Sequence, residues 1–140
     1  MKKLLYIPLT LMFIFPIGYA QSNSDLYREA NKLFQSYRYK VPFENFQVRT
    51  FQEDGKEVLE LLIIINARRN NFDEAMLVGF GAAGAAIAKT GSKIDLVNVV
   101  IKVQYKEEIS ISAIADAPDT IKLYENKISP SSFMSKIIFH

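Results

Sequence analysis

The chain contains no cysteine and no tryptophan, and its one histidine, His140, is the last residue. Without cysteine there is no disulfide, no thiolate nucleophile and no lipid anchor of the lipoprotein type. Without an internal histidine, serine and cysteine triads and the usual zinc ligand sets are out of reach. His140 replaces none of these, because the last residues of a domain usually fray.

Carboxylates are what remain for catalysis. Glu53-Asp54, Glu107-Glu108 and Asp116/Asp119 could support glycoside hydrolysis if two of them met in a cleft. Each falls at an expected turn or cap, however, where acids are ordinarily solvated or capping. Their spacing also fits no calcium-binding loop. The sequence therefore points away from an enzyme, leaves a carboxylate-dependent hydrolase as the remote alternative, and implies no cofactor and no metal.

A basic surplus is also missing. The chain has 17 basic and 15 acidic residues. Lys2 and Lys3 belong to the opening stretch "MKKLLYIPLTLMFIFPIGYA", which has the three parts of a secretory signal. The two lysines form its positive start, an apolar run follows from Leu4 to about Ile17, and Gly18 and Ala20 stand at the small-residue positions before Gln21. This run is broken by Pro8 and Pro16 and is shorter than the ~20 apolar residues that span a bilayer, so cleavage is expected rather than a retained anchor. Residues 21–140 then form a single domain with 15 charges of each sign and no transmembrane anchor, exported to the periplasm or beyond. Arg68-Arg69 is the one basic pair in it, so nucleic acid is not an expected partner.

Periodicity supplies the elements. "SDLYREANKLFQSYR" (24–38) carries Leu26, Ala30, Leu33, Phe34 and Tyr37 at helical spacing, with Ser24 as N-cap. "FQVRTFQEDGKEVLELLIII" reads as a hairpin through Asp54-Gly55. Both faces of its second strand are apolar, which predicts a central strand covered at least in part on each side. A second hairpin follows: Val97, Val99, Ile101 and Val103 alternate with Asn98, Lys102 and Gln104, the chain turns near Lys106-Glu107, and Ile109, Ile111, Ala113 and Ala115 face inward. Asp116 is expected to cap a helix over about 117–126, and Ser129-Pro130 to open a last helical turn or two carrying Phe133, Ile137 and Ile138. The order is α-ββ-α-ββ-αα. It predicts an α+β fold: an antiparallel sheet of about four strands, two hairpins, with helices mainly on one face.

"GFGAAGA" (79–85) matches the G-x-G-x-x-G/A spacing of a dinucleotide-binding loop. The context fails. Only "AMLV" precedes Gly79, Asp95 comes too early for the ribose-binding acid, and Glu107 comes too late. A single helix over about 71–90 with Gly91 as its C-cap fits better. Between Ala75 and Ala88 it has no charged or polar side chain, and a helix apolar all round is buried all round. Phe72, Met76, Gly79, Ala83 and Ile87 would face the sheet. Leu77, Gly81, Gly84, Ala85 and Ala88 would face away, towards a second layer. That layer is the chain's own helices, a second copy or another protein partner, or an apolar small molecule.

The aromatics Tyr37, Tyr39 and Phe43 form a secondary candidate patch. The reading that results is a non-catalytic binding or assembly domain acting through protein–protein contact in the cell envelope. The alternative is a carrier of a small apolar ligand held between sheet and helix.

Overall fold

The computed structural model describes residues 24–33, 45–65, 72–104 and 108–140. The expected signal, Tyr37, Tyr39 and Phe43, the first residue of the expected 71–90 helix and the turn at Lys106-Glu107 lie outside the described residues. Four helices and five strands follow in order: α1 (residues 24–33), β1 (Phe46–Glu53), β2 (Lys56–Ile65), α2 (Phe72–Thr90), β3 (Leu96–Gln104), β4 (Glu108–Asp116), α3 (Ala117–Tyr124), α4 (Pro130–Lys136) and β5 (Ile138–Phe139).

The first hairpin turns where its sequence demands. Asp54 and Gly55 adopt φ of 53° and 76°, the left-handed pair that a type I′ turn requires, and Glu53 pairs with Lys56 across it. α2 ends at Thr90 because Gly91, at φ 68°, turns its N–H onto the Ile87 carbonyl at 2.9 Å.

The fold is α+β, with a sheet in the order β1-β2-β3-β4-β5 that is mostly antiparallel. Two details differ from the expected four antiparallel strands. The β2–β3 pair is parallel, since α2, 19 residues long and so about 28 Å, returns the chain to the end of the sheet where β2 began. Parallel neighbours require a crossover of this kind. A fifth strand appears because α4 stops at Lys136 and the chain then pairs with Ala113 and Ile114. Ile138 is thereby a strand residue and not the end of a helix. Asp116 occupies the N-cap of α3 but makes no side-chain cap hydrogen bond, whereas the Ser129 hydroxyl caps α4 by accepting from the Ser132 N–H at 3.2 Å.

All four helices contribute to one core on one side of the sheet. From the sheet come Phe46, Leu59, Leu61, Ile63, Val97, Val99, Ile101, Ala113 and Ala115, all buried. α2 lies directly on this face: a Cβ on Gly79 would come within 2.9 Å of Val99 Cγ1 and 3.2 Å of Ile63 Cδ1. α3 covers α2 from the other side at Gly84, where any Cβ would run into the Thr120 carbonyl. Phe80 of α2 meets Phe133 of α4 edge to face at 5.2 Å between ring centroids. Tyr27 of α1 meets Phe46 in the same way at 5.8 Å.

Candidate functional site

The five positions singled out on the far face of α2 do not form one surface. Gly84 and Ala85 are buried, Leu77 and Gly81 are half-buried, and Ala88 is exposed. At Gly84 the backbone of α3 lies against α2, since a Cβ there would meet the Thr120 carbonyl and the Ile121 nitrogen. A Cβ on Gly81 would meet nothing within 4 Å. The glycines at 81 and 84 thus sit in opposite environments although they share a helix face.

The other face of the sheet is bare of helices among the described residues. Strand register arranges its side chains in rows. One row runs Phe51, Val58, Leu96; the next Arg49, Glu60, Asn98, Ile114, Ile138; the next Gln47, Leu62, Val100, Ser112. Leu62, Ile64, Leu96, Val100 and Ile114 are half-buried, and Ile138 is 68% exposed. Period-two alternation makes this face apolar enough to be covered and polar enough to stand in water.

Its middle row holds a polar ladder. Arg49 Nε donates to Glu60 Oε1 at 2.7 Å, and Asn98 Nδ2 donates to Glu60 Oε2 at 3.0 Å. The Arg49 guanidinium lies 5.0 Å over the Phe51 ring. The Glu60 carboxylate, by hydrogen bond and by charge, raises the Arg49 pKa above its ordinary value. Arg49 is therefore cationic throughout the physiological range. Asn98 is only 8% exposed, and its Oδ1 is buried with no hydrogen-bond partner. The carboxylate fixes the orientation of the amide, because only Nδ2 can donate to it. A buried acceptor left unmet costs about 1–3 kcal/mol. A hollow of about 450 Å³ lies beside this ladder, between Arg49, Glu60, Leu62, Val100 and Lys102.

A larger cleft, of about 770 Å³, opens at the end of the sheet that carries the β1–β2 turn. Leu26, Ile87, Ile94, Ala117, Pro118 and Ile121 form its apolar wall, and Thr50, Glu57, Ser92 and Lys93 stand on the polar side. Asp95 makes the rim rigid. Its Oδ2 accepts the Glu57 N–H at 2.9 Å, its N–H donates to the Glu57 carbonyl at 2.9 Å, and its carbonyl accepts the Ala117 N–H at 3.0 Å.

Of the carboxylates weighed for catalysis, Asp116 and Asp119 line a common hollow of about 370 Å³ together with Asp95 and Lys56, and Glu107 lies outside the described residues. Glu53 and Asp54 are exposed at the first hairpin turn, while Asp116 and Asp119 stand at the start of α3, the latter 3.9 Å from Lys136 Nζ. Among the described residues no three acidic or histidine side chains are grouped to hold a metal ion, and no helix is long and apolar enough to cross a membrane. Ser112 and His140 touch at the sheet edge: the Ser112 hydroxyl donates to the His140 carbonyl at 3.0 Å and lies 3.4 Å from His140 Nδ1. No family model matches the chain, and neither a curated protein nor a solved structure matches it.

Proposed function

We propose that the protein is an exported, non-catalytic binding or assembly domain that docks a protein partner on the open face of its sheet. One observation carries the reading. Among the described residues every helix packs on a single side, and the opposite side presents a field of half-buried aliphatic side chains around a buried, incompletely satisfied amide. Apolar patches rimmed by polar groups mark sites of interaction on soluble domains. Export follows from the amino-terminal signal pattern.

The test places charge on the face without touching the core. Leu62 and Val100 are adjacent across β2 and β3 and half-buried, so Leu62→Lys/Val100→Lys leaves the helix-covered side intact. In a native envelope extract the wild-type protein should migrate above the mass of a bare chain, and the double variant should migrate as a bare, folded chain. A wild-type protein already at bare mass, or a folded variant that keeps the larger size, contradicts the reading.

The cleft supports a second reading, carriage of an apolar small molecule. Its volume falls within the ~300–1,000 Å³ of ligand sites, and its lining combines an apolar wall with a few polar groups. Native mass spectrometry of protein taken from the envelope decides: an added few hundred daltons supports carriage, and a bare chain removes it.

A further inference from the structure

α1 follows the expected signal after three residues, Gln21, Ser22 and Asn23, and the first of these carries a reaction of its own. α1 belongs to the core, with Leu26 and Ala30 buried. The acid of its first turn, Asp25, is engaged by Arg28, which donates to Asp25 Oδ1 at 2.9 Å. A helix start is the positive end of the backbone dipole, so a further positive charge near it is unfavourable. Cleavage ahead of Gln21 creates such a charge. Three residues of chain keep the new α-ammonium within about 10 Å of α1, comparable to the screening length at physiological salt.

We propose that Gln21, once exposed by signal cleavage, closes to pyroglutamate, so that the mature chain begins with a neutral lactam ahead of α1. This rests on the reading of residues 1–20 as a cleaved signal and adds a modification to it. The unprotonated α-amine attacks Cδ of the side-chain amide of the same residue. The N–Cδ bond forms, the Cδ–Nε2 bond breaks, and the displaced nitrogen leaves as ammonia with the proton of the amine. No oxidant, metal or co-reactant enters. The ring has the favourable five members that a glutamine side chain allows, whereas Ser22 has no amide to close on and Asn23 is one methylene too short. The reaction is therefore specific to a cut at the Ala20–Gln21 bond. An α-amine titrates at about 7.7–8.0, so part of it is unprotonated and nucleophilic at neutral pH. The positive helix start enlarges that part by disfavouring the ammonium. The electrostatics that makes the charge costly thus promotes its removal, and a neutral end is what acetylation gives at other amino termini.

The full chain is expressed with its leader, and the protein is purified from the envelope without denaturant and held at neutral pH. Its intact mass should equal that of residues 21–140 less one ammonia, and Edman degradation should find no free amino terminus. Pyroglutamyl aminopeptidase should then remove one residue and expose Ser22. Gln21→Ala should be cut at the same bond and keep a free amine, and this variant also reports on the charge. Its ammonium is disfavoured in the folded state, which lowers the folded pKa of the amine below the unfolded value. The cost is therefore present in full below the folded pKa and lost above the unfolded one. The thermal midpoint of the variant should fall below that of the wild-type protein at about pH 6 and meet it at about pH 9. A mass of residues 21–140 with a free Gln21 overturns the proposal and leaves the export reading standing. A mass that includes the leader, or a chain that starts at any other residue, overturns both. A midpoint deficit independent of pH shows that the terminal charge does not act on α1, and removes the reason given for the modification.

Discussion

At the scale of single residues, two glycines three positions apart on one helix carry opposite meanings. Glycine within a helix costs about 0.5–1 kcal/mol relative to alanine, and at Gly84 that cost is offset by the approach of α3, where the Thr120 carbonyl occupies the place of a Cβ. At Gly81 nothing occupies it. Gly84→Ala should therefore destabilise the fold by about 1–3 kcal/mol through overpacking against backbone, while Gly81→Ala should stabilise it by about 0.5–1 kcal/mol. Urea denaturation of the two variants checks this, and equal effects would show that the α2–α3 contact is looser than described. The sequence showed that something must approach this helix closely. It could not separate Gly81 from Gly84, because the helical period places both on the far face and the position of α3 is a tertiary fact. Asn98 was legible only as a polar residue on the wet side of a strand. Its burial depends on Glu60, Ile114 and the other neighbours that register brings beside it.

At the scale of elements, local chemistry was read well and long-range pairing was not. Asp54-Gly55, the alternation in β3, Gly91 and Ser129-Pro130 each declare a turn, strand, stop or start through the backbone geometry they favour. The parallel β2–β3 pair has no such signature, since alternation records the face of a residue and not the direction of the neighbouring strand. β5 escaped for a related reason: two residues are too short for any period, and the strand exists because β4 offers an edge. The device holding that edge in place is α4, anchored by Phe133 in the core against Phe80. Phe133→Ala should cost about 3–5 kcal/mol. It should also release the end of the chain first, so that the His140 amide, bonded to the Ser112 carbonyl at 3.0 Å, loses its protection from hydrogen exchange before amides in β2 and β3. Simultaneous loss across the sheet would show that α4 and β5 are not a separable unit.

At the scale of the whole molecule, the sequence anticipated a helical layer on one side and could not tell whether the other side is covered. It placed the candidate contact on the far face of α2. The structure turns part of that face inward, at Gly84 and Ala85, and leaves half-buried aliphatic side chains on the other side of the sheet. The account thus sets two surfaces in competition, and a chain without cysteine lets them be compared directly. Val100→Cys puts a thiol in the middle of the open sheet face, and Ala88→Cys puts one on the exposed part of α2. The measurement is the rate of modification by a small thiol reagent, for each variant, in the native envelope and in dilute purified protein. The account predicts that Val100→Cys reacts at least about tenfold more slowly in the envelope, the protection given by roughly 1.4 kcal/mol of occupancy, while Ala88→Cys reacts equally in both. Equal rates for Val100→Cys, or protection of Ala88→Cys alone, would contradict it and return the contact to the helix.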